Sequence, residues 1–485
     1  MKLNKAILQC TVLSLMLLNI PHIALANTMS VDDVSKKSIA DYLGIRVLKL
    51  ESDEKFQEIK LSEAPYDTHL LLNASYARDE KPNSSIFAAT RSDQWLVEGG
   101  IGKKTTLGTE FDLKWSSDRD ETNTTFVSIN PAYTEKAELS WRQPLASNFF
   151  GRIDRLALEQ VKVNVERFNF DVLQRMESAV WDVRQLYWSA WTKKELVGIE
   201  SIGLKDAQTF LISTKEKMSL GLLEDPDLYA AQSNVLIRQI EFMVAKKDAI
   251  IAVNQLKTAL SMALTELLEI ESAPQIEAPI EYDIPKTTTA ALDRRFDYKH
   301  ALLKIKEMGI ELKITKYTEL PQIDFLGTLT LNGLNRNLDK AVNQVRDAED
   351  PTYLMGIQFS LPLENGEAKA KRAQAKIRNK QAILELEQLQ KDISHAVDAV
   401  IRESKMAYDS WSISLDIAEL QKKKLLAEMK RFEQGRSNSD LIINFQADVL
   451  TSERRRIAAA AAFYGARDSF DLALGKLLTQ YADVY

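Results

Sequence analysis

The sequence of 485 residues predicts a mixed, mainly α fold built as an internal duplication. Three observations support this prediction. Only 17 glycines and 12 prolines interrupt the chain, which favours long helices. Several segments alternate apolar and polar residues with the period of two that is typical of β-strands. Similar sequence signals then recur roughly 216 residues apart, too far for a solenoid repeat.

Residues 1–26 have the features of a secretory signal peptide. Two early lysines precede a mostly apolar run from Ile7 to Leu18, and Ala24 and Ala26 supply the small residues of a cleavage site. The alternative, an uncleaved anchor helix, is disfavoured because the run is short for a bilayer. Cleavage would remove Cys10, the single cysteine, so neither disulfides nor a cysteine-based zinc site nor a lipidated N-terminal cysteine is expected.

The composition excludes further classes of protein. Hydrophobic residues make up 45% and charged residues 27%, which is typical of a folded chain. The 63 basic residues are outnumbered by 69 acidic ones, so a strongly basic nucleic-acid surface is not expected. After the signal peptide no apolar stretch reaches the length of about 18 residues that a membrane helix needs. Any membrane-spanning segments would therefore be β-strands.

The duplication divides the mature chain into two predicted repeats. The first, 27–285, carries an N-terminal helix, strands and a long helical hairpin at 152–265. The second, 286–485, carries a helix, strands at 321–363 and a second hairpin at 367–480. Apolar residues recur every three or four positions along both hairpins, as in a coiled-coil seam. A helix from 152 to 220 would be about 100 Å long, which suits a structure that crosses the periplasm.

A glycine interrupts each helical tract. One tract begins at Gly221 and reaches Gln232 eleven residues later, and the other runs in the same way from Gly435 to Gln446. Glycine permits the backbone conformation that ends a helix, and a nearby Asp or Ser can cap the next one. We therefore expect a helix–turn–helix tip at each glycine.

Four segments of nine to ten residues alternate as spanning strands do. They begin near Leu70, Ala137, Ile323 and Tyr353. Half-buried strands in a soluble sheet would alternate in the same way, so that alternative stays open. Another alternating pair, Trp95–Ile101 and Leu107–Ser116, predicts an extra hairpin in the first repeat, with no indication of where it lies. Trp95, Trp115 and Trp141 are candidates for an aromatic girdle.

Four strands cannot close a membrane barrel, because even small barrels need about eight. An open sheet edge cannot face lipid, since its N–H and C=O groups would be unpaired. If these strands span a membrane, several chains must share one barrel.

Signals for catalysis or a cofactor are weak. The glycine-rich tract Gly99–Thr105 lacks the upstream glycine and the Lys-Ser/Thr pair of a phosphate-binding loop. The mature chain has only His69, His300 and His395, far apart in sequence, so a zinc site is not expected. We predict no catalytic residues, no cofactor, no metal and no enzyme activity. Trp181, Trp188 and Trp191 are interpreted as seam packing.

Several motifs, in order, resemble the TolC-type outer-membrane efflux protein family over nearly the whole mature chain. Met29–Asp33 and Ala64–Asp67 are similar to the start of that family. Trp141–Leu145 followed by Asn148–Arg152 resembles its first strand-to-helix junction, and Leu361–Gly366 resembles the second. Pro144, Pro362 and Gly366 mark these junctions.

The resemblance implies a homotrimer in which each chain gives four strands to one shared β-barrel, and the helices continue as a periplasmic α-barrel. It implies that the tips contact a periplasmic adaptor and gate the entrance. The tip residues are Gly221, Asp225, Asp227, Gly435, Arg436 and Asp440. Asp440 lies one position nearer its glycine than Asp227 does, so an entrance ring of carboxylates is not assigned.

The resulting hypothesis is a passive outer-membrane duct of an efflux or type I secretion system, with a large periplasmic portion. It would work with a periplasmic adaptor and an inner-membrane pump, among outer-membrane lipid and without nucleic acid. The alternative is a periplasmic coiled-coil adaptor or scaffold without a membrane barrel. The sequence does not indicate the cargo or the class of pump.

Overall fold

A computed structural model of the chain describes residues 27–82, 84, 87–279 and 281–481. The predicted signal peptide lies outside the described residues. The chain divides into two compact units, each assembled from segments that are distant in sequence. Residues 50–173 and 296–391 form a sheet unit, and residues 27–49, 174–295 and 392–481 form a helical unit, as far as these ranges are described. These units are not the two predicted repeats, because each repeat contributes to both; the repeat boundary stays a prediction.

Nine α-helices occur in the described residues. They are α1 (Val31–Asp41), α2 (Leu43–Glu63), α3 (Arg152–Ser219), α4 (Asp225–Ala259), α5 (Ile284–Arg294), α6 (Phe296–Thr318), α7 (Leu338–Arg346), α8 (Gly366–Glu433) and α9 (Ser439–Ala473). The pairs α3–α4 and α8–α9 are the two predicted hairpins. Each pair combines a helix of 68 residues with one of 35.

The second helix of each hairpin ends earlier than expected from the sequence, at Ala259 and Ala473. The chain adopts a left-handed backbone at Ser261 (φ 54°) and Gly475 (φ 62°). In both places the N–H of the next residue bonds back across the turn: Met262 to Lys257 at 2.9 Å and Lys476 to Asp471 at 2.9 Å. This is the Schellman geometry that terminates helices.

In the same described residues, eight β-strands form two sheets. They are β1 (Asn27–Met29), β2 (His69–Asp79), β3 (Ser92–Lys104), β4 (Glu110–Thr122), β5 (Ala132–Pro144), β6 (Leu268–Ile270), β7 (Gln322–Asn335) and β8 (Asp350–Ser360). The short strands β1 and β6 pair in parallel within the helical unit. The other six form one antiparallel sheet in the order β2-β3-β4-β5-β7-β8.

The large sheet contains the four predicted strands and the extra hairpin. The four predicted strands correspond to β2, β5, β7 and β8, and the extra hairpin of the first repeat forms β3 and β4 between β2 and β5. Alternation along one segment reveals a strand but not its neighbours, so the sequence did not place this hairpin.

The core of the helical unit is an aromatic cluster on the predicted seam. Trp188 stacks on Tyr464 with ring centroids 4.2 Å apart and planes 7° apart. Trp191 contacts both rings edge-on. Seam packing is confirmed for Trp188 and Trp191, which are buried, whereas Trp181 is only partly buried.

Candidate functional site

The first hairpin tip is built on Gly221. Its backbone is left-handed (φ 71°), and the Leu222 N–H donates to the carbonyl of Lys217 at 3.0 Å, which ends α3. The Asp227 carboxylate then accepts a hydrogen bond from the Glu224 N–H at 3.3 Å and so helps to start α4. Asp225 is the exposed first residue of that helix.

The second tip repeats the helix end with different chemistry at the next start. Gly435 also has φ 71°, and the Arg436 N–H donates to the Arg431 carbonyl at 2.8 Å. The cap of α9 is Asn438, whose Oδ1 accepts from the Leu441 N–H at 2.9 Å. Asp440 lies in the first turn of α9 and does not cap it.

The structure holds the two tips together. The Lys217 ammonium donates to the carbonyls of Phe432 (2.9 Å) and Glu433 (3.3 Å) at the end of α8. Phe432 also packs on Phe210, with ring centroids 5.3 Å apart. Farther from the tips, Asn234 of α4 donates to Gln446 of α9 at 3.2 Å, and both amides are buried.

Sequence reasoning found the two glycines but missed Glu224, Asn438 and Lys217. Asn is among the strongest helix caps, so Asn438 before a helical tract was a usable signal. Lys217 acts across two chain segments about 215 residues apart, and no local pattern indicates such a contact.

The first strand-to-helix junction follows β5. Pro144 ends the strand, and the next N–H, that of Leu145, donates to Ile323 at 2.7 Å. The side chain of Asn148 then accepts from the Ile153 N–H at 2.9 Å and donates to Asp154 at 2.6 Å at the start of α3.

The second junction follows β8. Pro362 lies in the exposed link after β8, and Gly366 is the first residue of α8. The left-handed position is Asn365 (φ 46°), whose side chain donates to the Glu319 carbonyl at 2.9 Å. Asn tolerates this backbone region better than other non-glycine residues, so it makes the turn here.

One face of the six-stranded sheet carries a continuous apolar row, with Glu135 and Arg119 farther along the same face. The register places one residue from every strand in a single row, and all six are apolar or aromatic: Leu70, Ile101, Leu113, Leu139, Leu329 and Tyr353. Five of these side chains are exposed, with 68% exposure at Leu70 and 69% at Tyr353, and Leu329 is partly buried. Exposed apolar surface of this extent marks a contact with a partner or a membrane.

The opposite face is polar. A row on that face again takes one residue from each strand: Asn73, Glu98, Ser116, Lys136, Asn332 and Asp350. At the helix end of the sheet, Arg142 links Asp324 (2.6 Å) and Glu110 (3.3 Å) across three strands. Two faces of opposite polarity suit a wall between lipid and water.

The three candidate girdle tryptophans do not lie in one row. Trp95 is level with Tyr76 and contacts its ring at 4.6 Å near one end of the sheet. Trp141 lies near the other end, and its ring is 6.1 Å from that of Phe325. Trp115 lies between them and donates from Nε1 to the buried Glu135 at 3.0 Å.

A buried ion pair ties the helical unit together. The Arg184 guanidinium contacts the Asp468 carboxylate at 2.7 Å, and Trp188 donates to the same carboxylate at 2.8 Å. Burial disfavours the charged guanidinium, but the hydrogen bond to Asp468, together with the charges of Asp468, Tyr481 and Asp32, outweighs burial and raises the pKa of Arg184. Burial raises the pKa of Tyr481, which bonds to both Arg184 and Asp32, to about 12.

The described residues offer neither a metal site nor a membrane helix. They contain no group of three or more His, Cys, Asp or Glu side chains that could hold a metal ion. Across the same part of the chain, no helix is long and apolar enough to cross a membrane.

Solved structures with the same fold are outer-membrane channels. CusC, described in terms of transmembrane channel formation, has a TM-score of 0.71 at 14% identity, covering 93% of this chain and 93% of its own. The Campylobacter jejuni CmeC outer-membrane channel gives 0.68 at 14% identity, with 94% and 89% covered. The Neisseria gonorrhoeae MtrE outer-membrane channel, in its open state, gives 0.65 at 15% identity, with 92% and 89% covered.

The chain has the fold of the TolC-type outer-membrane channels. Neither a family model nor a curated protein matches the sequence. The TolC-type fold confirms the predicted combination of duplicated long hairpins with a strand wall. Within this fold, the six-stranded sheet and the two tips are the regions of functional interest.

Proposed function

We propose that this chain is the outer-membrane duct subunit of a multi-component efflux or type I secretion system. Small molecules or proteins would pass through it from an inner-membrane pump across the outer membrane. The duct would be passive, with no covalent chemistry, and the pump would supply the energy.

The observation that carries this proposal is the sheet, which has one apolar face, one polar face and two free edges. Within the sheet, β2 and β8 each pair with a single neighbour. Such edges cannot face lipid, because their backbone groups would be unpaired. Copies of the chain that share one closed wall satisfy them, and we propose three copies.

Exposed apolar stripes on the helices support association between copies. On α4, Leu236, Met243 and Ile250 are seven residues apart and are 62%, 62% and 63% exposed. On α8, Met406, Ile413 and Leu420 repeat the spacing and are also exposed. Apolar residues at heptad spacing form coiled-coil seams, so both stripes suit helices of a neighbouring copy.

The tips suit a periplasmic partner. Asp225, Arg436 and Asp440 are exposed around the two turns, where both acceptors and a donor are available to a docking protein. We propose that these residues, with Gly221, Asp227 and Gly435, contact the adaptor and that the tips move to gate the entrance. The cargo and the class of pump are left open.

The test measures the mass of the assembled species that the mature chain forms and the envelope fraction in which it is found. We expect a detergent-dependent species of three chains in the outer-membrane fraction, with channel conductance after reconstitution in a planar bilayer. A soluble monomer in the periplasmic fraction would contradict the duct and favour the coiled-coil scaffold. Trimers that never conduct, even with tip variants designed to loosen the entrance, would contradict transport.

A further inference from the structure

The inserted hairpin β3–β4 extends the sheet in its interior. It pairs with β2 on one side and with β5 on the other over nearly its whole length. Its strands have 13 residues each, like β5, so it is as tall as the strands beside it. A surface appendage would lack this double pairing.

The hairpin also continues both faces of the sheet. Ile101 and Leu113 extend the apolar row, with exposures of 51% and 54%, and Glu98 and Ser116 extend the polar row. A shift of one residue in the pairing of β3 or β4 would move its apolar side chains to the polar face. The observed register therefore keeps the hairpin in line with the neighbouring strands on both faces.

The two ends of the hairpin differ in length, as expected for strands that cross an outer membrane. Its turn, 105–109, lies against the start of α3: Lys104 pairs with Asp154 at 3.0 Å, and Gly108 (φ 75°) leaves room for Asn148 and Gly151. At the other end the links between β2 and β3 and between β4 and β5 are longer in sequence, and Phe87 of one packs edge-on against Phe126 of the other. Short turns on the periplasmic side and longer loops outside are typical of outer-membrane barrels.

The free edges fit a second copy of this chain. Because the six strands alternate in direction, β2 and β8 run antiparallel to one another. β8 of one copy can therefore pair antiparallel with β2 of the next copy. Inserting two strands, as the hairpin does, leaves this antiparallel arrangement of the edges unchanged. Pairing an odd-numbered residue of β8 with an even-numbered residue of β2 keeps Tyr353 and Leu70 on the same face.

From these contacts we infer that each copy contributes six strands to the membrane wall, so that three copies form a barrel of eighteen strands. This inference rests on the proposed shared barrel. Strands about 4.8 Å apart with a tilt of about 40° give a backbone diameter of about 36 Å, against about 24 Å for twelve strands. The hairpin thus widens the outer-membrane segment by about half.

The test is the number of strands per chain in the purified assembly, imaged by electron cryo-microscopy in a lipid nanodisc. We expect six, with a diameter of about 36 Å. A variant lacking residues 92–122 joins β2 to β5 without changing strand direction, and we expect it to form a ring of about 24 Å. A full-length ring with four strands per chain would overturn the inference but leave the duct intact. The absence of any ring would overturn both.

A second measurement decides the question if the deletion variant does not assemble. Adjacent residues Asp112 and Leu113 point to opposite faces, and Cys10 lies in the predicted signal peptide, so single cysteines can be read separately. In outer-membrane vesicles we expect Asp112→Cys to react with a membrane-impermeant maleimide at least tenfold faster than Leu113→Cys. Equal rates would mean that the hairpin stands outside the wall.

Discussion

The two halves of the chain have hairpins of equal length but contribute unequal numbers of strands. α3 and α8 contain 68 residues each, α4 and α9 contain 35 each, and both tips turn at a glycine with φ 71°. The first half nevertheless supplies four strands of the large sheet and the second half only two. Length along the helices is thus the constrained dimension, whereas the width of the sheet tolerates an added hairpin.

The buried ion pair is one place where the halves differ. Asp468 of α9 corresponds, 214 residues on, to Asn254 of α4. Asp468→Asn should destabilise the helical unit by about 3–5 kcal/mol, because it removes the buried carboxylate that neutralises the Arg184 guanidinium. Denaturant unfolding of the purified protein measures the loss. Asp398→Asn, which removes an exposed pair with Arg402, is the control and should cost less than about 1 kcal/mol.

The inserted hairpin and the second half should respond alike to a charge on the apolar face. Leu113→Arg and Leu329→Arg should each cost about 2–4 kcal/mol per copy near the middle of a bilayer and reduce assembly in the outer membrane. Lys114→Arg and Thr330→Arg, on the polar face of the same strands, should assemble normally. Quantifying trimers in membrane extracts checks this. Normal assembly of Leu113→Arg alone would separate the hairpin from the wall.

The tips should be equally sensitive to side-chain strain. Gly221→Val and Gly435→Val meet no atom within 4 Å of the new Cβ, so only the left-handed backbone opposes them, by about 1–2 kcal/mol. We expect trimers to form while export falls in both variants, measured by efflux of a fluorescent substrate. Gly198→Val, within α3 and also without neighbours, is the control for an ordinary helical glycine. Normal export in both tip variants would contradict the gating role.

The two hairpins should differ in how their stability depends on pH, because only the second carries a titrating residue at this position. Burial raises the pKa of Glu453, but hydrogen bonds from Lys422 and Arg456 outweigh burial and lower it. Because the folded-state pKa is lower than the unfolded value of about 4.3, the ionised carboxylate stabilises the fold above that pH. This stabilisation is lost as the pH falls through the folded-state pKa. The corresponding residue of α4 is Gln239, which does not titrate. Glu453→Gln should therefore flatten unfolding stability between about pH 5 and 3; an unchanged slope would contradict this.

Local patterns predicted the elements well. Alternation at Leu70, Ile323 and Tyr353 located strands because apolar and polar residues alternate between the two faces of each, and a glycine in an apolar repeat located each tip. The placement of the hairpin at 92–122 was not predictable, because its neighbours are set by pairing across the sheet. The Arg184–Asp468 pair joins residues 284 positions apart, and neither charge differs locally from a solvated one.

The buried amide pair Asn234–Gln446 has a consequence for how so long a bundle assembles. Two apolar seams can slide past one another by a heptad with little loss of packing, so long hairpins have many near-equivalent alignments. A slip at this level would separate the two amides and leave buried polar groups unsatisfied, at about 1–3 kcal/mol for each. The pair therefore favours the correct register of the helices during folding. Its cost is the hydrophobic burial that two apolar side chains would give at the same positions.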